Sequence, residues 1–164
     1  MLHIRPMKPS ELDFLMNMHY EAIHILENKP PRDELLNEPS LRKYHEGWGR
    51  AGDAALVAEV DGRLVGAVWY RLFDEANKGY GFVDAGTPEL GIAISPDHRG
   101  QGIGIALMQA IIEHARAGGF PSLSLSVDPV NTSAVQLYER FEFERCGMEG
   151  TSWTMKLNFM LNFT

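Results

Sequence analysis

The chain has 164 residues, the size of one ordinary domain, and its 45% apolar residues are enough to bury a core. Its 15 basic and 22 acidic side chains leave a formal charge of −7, which argues against nucleic acid or an anionic membrane surface as a partner. One cysteine, Cys146, excludes an internal disulfide framework and a cysteine-based zinc site, and no uncharged apolar run approaches ~18 residues, so residues 1–164 read as one soluble, cytoplasmic domain.

Leu2 to Arg5 reads as a short strand closed by Pro6, and Ser10 stands as the N-cap of a helix with Leu12, Phe14, Leu15, Met18, Ala22 and Ile25 at helical spacing. Pro30, Pro31 and Pro39 break residues 27–52 into short helical pieces and loops. Strands follow at 54–60 and 63–72, joined by the two-residue turn Asp61-Gly62 as an antiparallel hairpin. After an irregular connection, 73–88, come a strand at 89–95 ended by Pro96, a helix at 102–117 stopped by Gly118-Gly119, and a strand at 122–127. These three form a crossover between neighbouring parallel strands. A helix from about Asn131 to Arg140 and a last strand at 152–159 complete the order.

The most informative segment is Pro96-Asp97-His98-Arg99-Gly100-Gln101-Gly102-Ile103-Gly104, between the end of a strand and the start of a helix. Free N–H groups there, with the positive end of the helix dipole, make an anion site suited to phosphate, and glycine lets the backbone come close. No Gly-Lys-Ser/Thr follows, so this is not a P-loop; a dinucleotide fingerprint fails because Ile105 stands where a third Gly or Ala is needed.

The spacing Arg99-x-x-Gly102-x-Gly104 instead resembles the Arg/Gln-x-x-Gly-x-Gly/Ala pyrophosphate loop of the GNAT N-acetyltransferases. Ile92-Ala93-Ile94-Ser95-Pro96 looks like that family's fourth strand, Asn131 stands where its coenzyme-binding Asn follows strand five, and Tyr138 occupies the position of its general-acid Tyr. One departure is Glu142, where the family usually has Gly between two apolar residues. The resemblance implies an α/β fold: a mixed, mostly antiparallel central sheet of about six or seven strands, flanked by helices, with one parallel crossover. It implies acetyl-CoA as co-substrate, its pyrophosphate on Arg99, Gly100, Gln101, Gly102, Ile103 and Gly104, its pantetheine arm along Ile92, Ala93 and Ile94, and Asn131 holding that arm.

The implied reaction is direct attack of a primary amine, on a small molecule or peptide, upon the thioester. A strand N–H near Ile92 or Ala93 would stabilise the oxyanion and Tyr138 would protonate the leaving sulfur. An alkyl amine of pKa ~10 is only about one part in 10³ neutral at pH 7, so a base is expected. The candidates are Glu89, Asp84 and Asp128, and Glu89 is preferred because several family members carry a glutamate there that works through water. In the ribosomal-protein acetyltransferase branch the base lies five residues before the Asn, and here that residue is Ser126, which cannot serve. The acceptor site should draw on Tyr20, His24, Tyr44, His45, Trp48, Phe73 and Tyr80. The six histidines show no metal spacing, so no metal is expected. Cys146 reads as a buried residue, and the apolar tail 157–163 as a sheet closure or the face of a homodimer. The alternative function is a non-catalytic acyl-CoA-binding module that kept the loop and lost turnover.

Overall fold

A computed structural model describes residues 1–159. Its strands are β1 (Leu2–Pro6), β2 (Ala54–Val60), β3 (Arg63–Arg71), β4 (Glu89–Ile94), β5 (Ser122–Val127), β6 (Glu144–Glu149) and β7 (Ser152–Asn158). Its helices are α1 (Leu12–Ala22), α2 (Arg32–Leu36), α3 (Pro39–Arg42), α4 (Ile103–Ala117) and α5 (Thr132–Arg140). Among the described residues the strand order is β1-β2-β3-β4-β5-β7-β6. Strands β1, β2 and β3 pair antiparallel, as do β5, β7 and β6, while β4 and β5 are parallel at Glu89 and Ser124. This is the expected mixed, mostly antiparallel α/β sheet.

The chain resolves into two compact units, one of Met1–Arg71 with Gly91–Ile111, the other of Leu72–Leu90 with the chain from Ile112 onward. In the first, Leu15, Met18, Val57, Ala67, Trp69 and Ala93 form a buried cluster. The Asp61-Gly62 turn has positive φ at both residues (50° and 82°), the geometry that matches the twist of a hairpin. The end of β4 is tied to β3 by the Ser95 N–H donating to Val65 O at 2.8 Å. In the second unit, Leu123, Leu125 and Val127 are buried on alternate positions of β5, but so are Ser122 and Ser124 on the opposite face.

Three local expectations are corrected. Ser10 does not cap α1. The Glu11 carboxylate accepts the Lys8 N–H at 2.8 Å and is held by Arg5 Nη2 at 2.7 Å, while Arg5 Nε reaches Glu59 on β2 at 2.9 Å. The Arg5 guanidinium keeps Glu11 well below the usual carboxylate range. Strand β6 is an addition: all six of its residues are exposed, so it carries no apolar alternation to read. Cys146 lies on it, exposed, where the pairing with β7 shifts register between Arg145 and Gly147. Of the tail 157–163, residues 160–163 lie outside the described residues.

Glu142, the departure from the family pattern, holds φ at +70° just after α5, where the Phe143 N–H donates to Tyr138 O at 3.1 Å. This left-handed helix stop strains any residue but glycine. Glu142→Gly should therefore raise stability by about 0.5 kcal/mol, the relieved strain less the added entropy of the unfolded chain, measured by urea unfolding.

Candidate active site

The glycine loop lies in the first unit. After the short 3-10 turn Pro96–His98, Gly100 and Gly102 take φ of 75° and 81°. A Cβ at either would meet nothing within 4 Å, so backbone conformation rather than crowding demands glycine there. The Ala106 N–H, bonded to Gly102 O at 3.2 Å, closes the first turn of α4, and this leaves the N–H groups of Ile103, Gly104 and Ile105 without intrahelical acceptors. They sit at the positive end of a 15-residue helix whose Ile103, Leu107, Met108, Ile111 and Ala115 are buried. Arg99 is exposed and lightly held: Nε donates to Ile94 O at 3.3 Å and Nη2 lies 3.5 Å from Glu21 on α1. Gln101 is exposed as well. Ile92 and Ile94 are half-buried on β4 and Ala93 is buried. The residues read as an anion loop are thus contiguous in space, with unpaired donors and open room beside both positive-φ glycines.

The second unit holds Glu89, Asn131 and Tyr138. Glu89, at the start of β4, is 5% exposed. Its Oε1 accepts the Gly81 N–H at 3.1 Å. Gly81 itself lies on the backbone of β5, where an added Cβ would stand 2.5 Å from Leu125 C and 2.8 Å from Ser126 N. Gly81→Ala should push the 79–82 turn off β5 at a cost of about 1–3 kcal/mol, read as a lowered urea midpoint. Asp84 and Asp128 are committed to turns, their Oδ1 atoms accepting the N–H of Gly86 and of Val130, each at 3.0 Å.

Asn131 is the N-cap of α5, its Oδ1 accepting the Ala134 N–H at 3.4 Å, which leaves its amide NH₂ for other work. Tyr138 shares the buried face of α5 with Val135 and tilts against Phe143 at 6.1 Å between ring centroids. Burial pushes the Tyr138 phenol up to about 12, so it carries its proton throughout the physiological range.

Of the residues expected around an acceptor, His45 and Trp48 converge in the first unit on one the sequence did not single out, His19. Its ring stacks on Trp69 at 4.3 Å and 20°, with His45 and Trp48 edge-on at 6.0 and 6.1 Å. Trp69 in turn lies against β4 where a Cβ on Gly91 would come 2.6 Å from its ring. His19 is buried, its Nε2 has no hydrogen-bond partner, and burial, aided by His45 and Arg71, pushes its pKa down to about 3. Its signal was a polar residue beside Met18 on the buried side of α1. The Tyr20 hydroxyl donates to Pro30 O at 2.6 Å. Tyr80 is 41% exposed and Phe73 is buried, both in the second unit.

An open groove of about 560 Å³ in the second unit is lined by Glu139, Glu142, Phe143, Glu144, Lys156, Leu157 and Asn158, none of them an expected site residue. Among the described residues no three His, Cys, Asp or Glu side chains gather as a metal centre would need, and no helix is long and apolar enough to cross a membrane.

Residues 20–143 match the acetyltransferase (GNAT) family. The chain is 27% identical over 143 residues to a mycothiol acetyltransferase of Propionibacterium freudenreichii, covering 87% of this chain and 43% of that protein. It is 33% identical over 105 residues to an L-methionine sulfoximine/L-methionine sulfone acetyltransferase of Pseudomonas paraeruginosa, covering 63% and 58%. The match thus spans 43% and 58% of the length of these relatives. Its fold is that of the ribosomal-protein-alanine N-acetyltransferase of Brucella melitensis, with a TM-score of 0.67 at 23% identity over 96% of this chain and 99% of that one. It is likewise that of the PaiA N-acetyltransferase of Thermoplasma acidophilum in complex with coenzyme A, with a TM-score of 0.68 at 18% identity over 97% and 99%. The match over most of its length, together with the Arg99-to-Gly104 loop at the head of α4, establishes that the chain belongs to the acetyltransferase (GNAT) family.

Proposed function

We propose that this chain is an N-acetyltransferase that moves an acetyl group from acetyl-CoA to a primary amine of a small molecule or peptide. The observation that carries the reading is the loop of Arg99 to Gly104, with unpaired N–H groups at Ile103 and Gly104 and an exposed guanidinium beside them. Acetyl-CoA supplies the activated acetyl group. The loop N–H groups and Arg99 bind its pyrophosphate, the β4 backbone from Ile92 to Ile94 offers strand-like bonds to its arm, and the Asn131 amide adds a donor. An N–H near Ile92 or Ala93 stabilises the carbonyl oxygen as it gains charge. Tyr138, protonated at neutral pH, gives its proton to the departing sulfur. Glu89 takes the proton of the amine. The names of the relatives make L-methionine sulfoximine and L-methionine sulfone the first acceptors to try, ahead of polyamines and N-terminal peptides.

Thiol release from acetyl-CoA across that panel tests the reading, and release with at least one amine is expected. Tight acetyl-CoA binding by calorimetry without release from any amine would make the chain an acyl-CoA-binding module, and absence of binding would reduce the loop to a turn. Tyr138→Phe should keep acetyl-CoA affinity and lower kcat by about 10²-fold or more; an unchanged kcat removes Tyr138 from the chemistry.

A further inference from the structure

Strands inside a parallel crossover normally read as continuous apolar runs, yet β5 reads Ser-Leu-Ser-Leu-Ser-Val. Its three serines share one face by the two-residue period of a strand. Ser122 is 2% exposed, Ser124 0%, and Ser126 half-buried. The Ser122 hydroxyl has a partner, the Thr87 hydroxyl at 2.6 Å. The Ser124 Oγ has none. A fully buried hydroxyl with no hydrogen bond is costly, and native structures rarely keep one without a reason.

The register shows what lies beside it. Ser124 is paired with Glu89 across the parallel ladder, its N–H donating to Pro88 O at 3.0 Å, so the Ser124 and Glu89 side chains leave the same face of the sheet. Gly81 covers that face over Leu125 and Ser126 and fixes Glu89 Oε1 with its N–H. A buried carboxyl and an unsatisfied hydroxyl are thereby neighbours, separated by more than a direct hydrogen bond. One water between them would satisfy the hydroxyl.

We propose that Ser124 is a positioning residue that binds one buried water and, through it, orients the Glu89 carboxyl: the serine O–H donates to the water and the water donates to the carboxylate. The mechanistic part rests on the reading of Glu89 as the base. The Gly81 N–H and the Ser124 water then act on the carboxyl together, so that it meets an acceptor amine in one orientation.

A high-resolution crystal structure of the whole chain should show an ordered water within hydrogen-bond distance of both Ser124 Oγ and a Glu89 carboxyl oxygen. A dry Ser124, or a water that touches only one of them, overturns the proposal whether or not an acceptor is known. In infrared spectra, the carboxyl band that Glu89→Gln removes should shift in Ser124→Ala and return in Ser124→Thr; an unmoved band overturns the bridge. With an amine that supports CoA release, Ser124→Ala should lower kcat about tenfold with KM unchanged, the size of one lost orienting contact. If Glu89→Gln abolishes turnover while Ser124→Ala keeps wild-type kcat, the proposal falls and the base reading stands. If Glu89→Gln leaves kcat intact, the base reading falls and the role of Ser124 in catalysis falls with it.

Discussion

Asp53→Ala should cost about 3–5 kcal/mol of folding stability, a large share of the ~5–15 kcal/mol that holds a typical domain. Asp53 and Arg71 form a bidentate pair, Nε to Oδ1 at 2.9 Å and Nη2 to Oδ2 at 2.8 Å, with side-chain exposures of 1% for Arg71 and 3% for Asp53. Arg71 Nη1 also donates to Lys43 O at 3.0 Å and Glu46 O at 2.7 Å, while Asp53 Oδ2 accepts the N–H groups of Gly49 and Arg50, both at 2.9 Å. The pair therefore pins residues 43–53 to the end of β3. Removing the aspartate strands a guanidinium in the interior with no counter-charge, and the desolvation it then bears alone is what makes the loss large. Replacing both partners with apolar residues of similar volume, Arg71→Met with Asp53→Leu, should cost clearly less than the sum of the single changes. Urea unfolding of the two singles and the double measures this; a single-variant loss under about 1 kcal/mol would show that water reaches the pair.

The second large effect is a loss of stability that begins at mildly acidic pH. His19 has a pKa of about 3 in the folded chain against 6.5 as its ordinary value. Below pH 6.5 the unfolded chain binds a proton at this position and the folded chain does not, so folding stability falls as pH drops from about 6.5 toward 3 and is fully present above that window. At 1.36 kcal/mol per pH unit the loss is on the order of 4 kcal/mol. Glu11, depressed from 4.5, adds its own acid loss only below that value. His19→Phe keeps an aromatic ring on Trp69 and removes the titration, so its stability should be nearly flat between pH 6.5 and 4.5 where the native chain slopes. Parallel slopes in the two proteins would place the acid sensitivity elsewhere. The same burial bars His19 from taking a proton from an alkylammonium at neutral pH.

The elements that were readable from the sequence are those whose signal is local. Asp61-Gly62 carries the φ values that close a hairpin, and the run from Arg99 to Gly104 holds both its positive-φ positions and its helix start within six residues. The features that were not readable depend on partners far along the chain. Glu11, rather than Ser10, stands at the entry to α1, its carboxylate held by Arg5 of β1, which is itself anchored by Glu59 on β2. His19 looks like one polar residue in a helix until Trp69, fifty positions on, lies flat against it. The burial of Glu89 at the start of β4 depends on Gly81, whose turn comes down onto β5. Strand β6 has only β7 beside it and six exposed side chains, so nothing in its composition separates it from a loop.

The exposed thiol of Cys146 on that outer strand gives the chain a covalent route to pairing. An oxidant can join two copies through one S–S bond, with loss of two electrons and two protons, and with no need for a buried interface. A pair made this way comes apart in reductant and is abolished by Cys146→Ser, whereas a pair held by packed surface survives both. The mass of the particle under reducing conditions is therefore the one that reports on association.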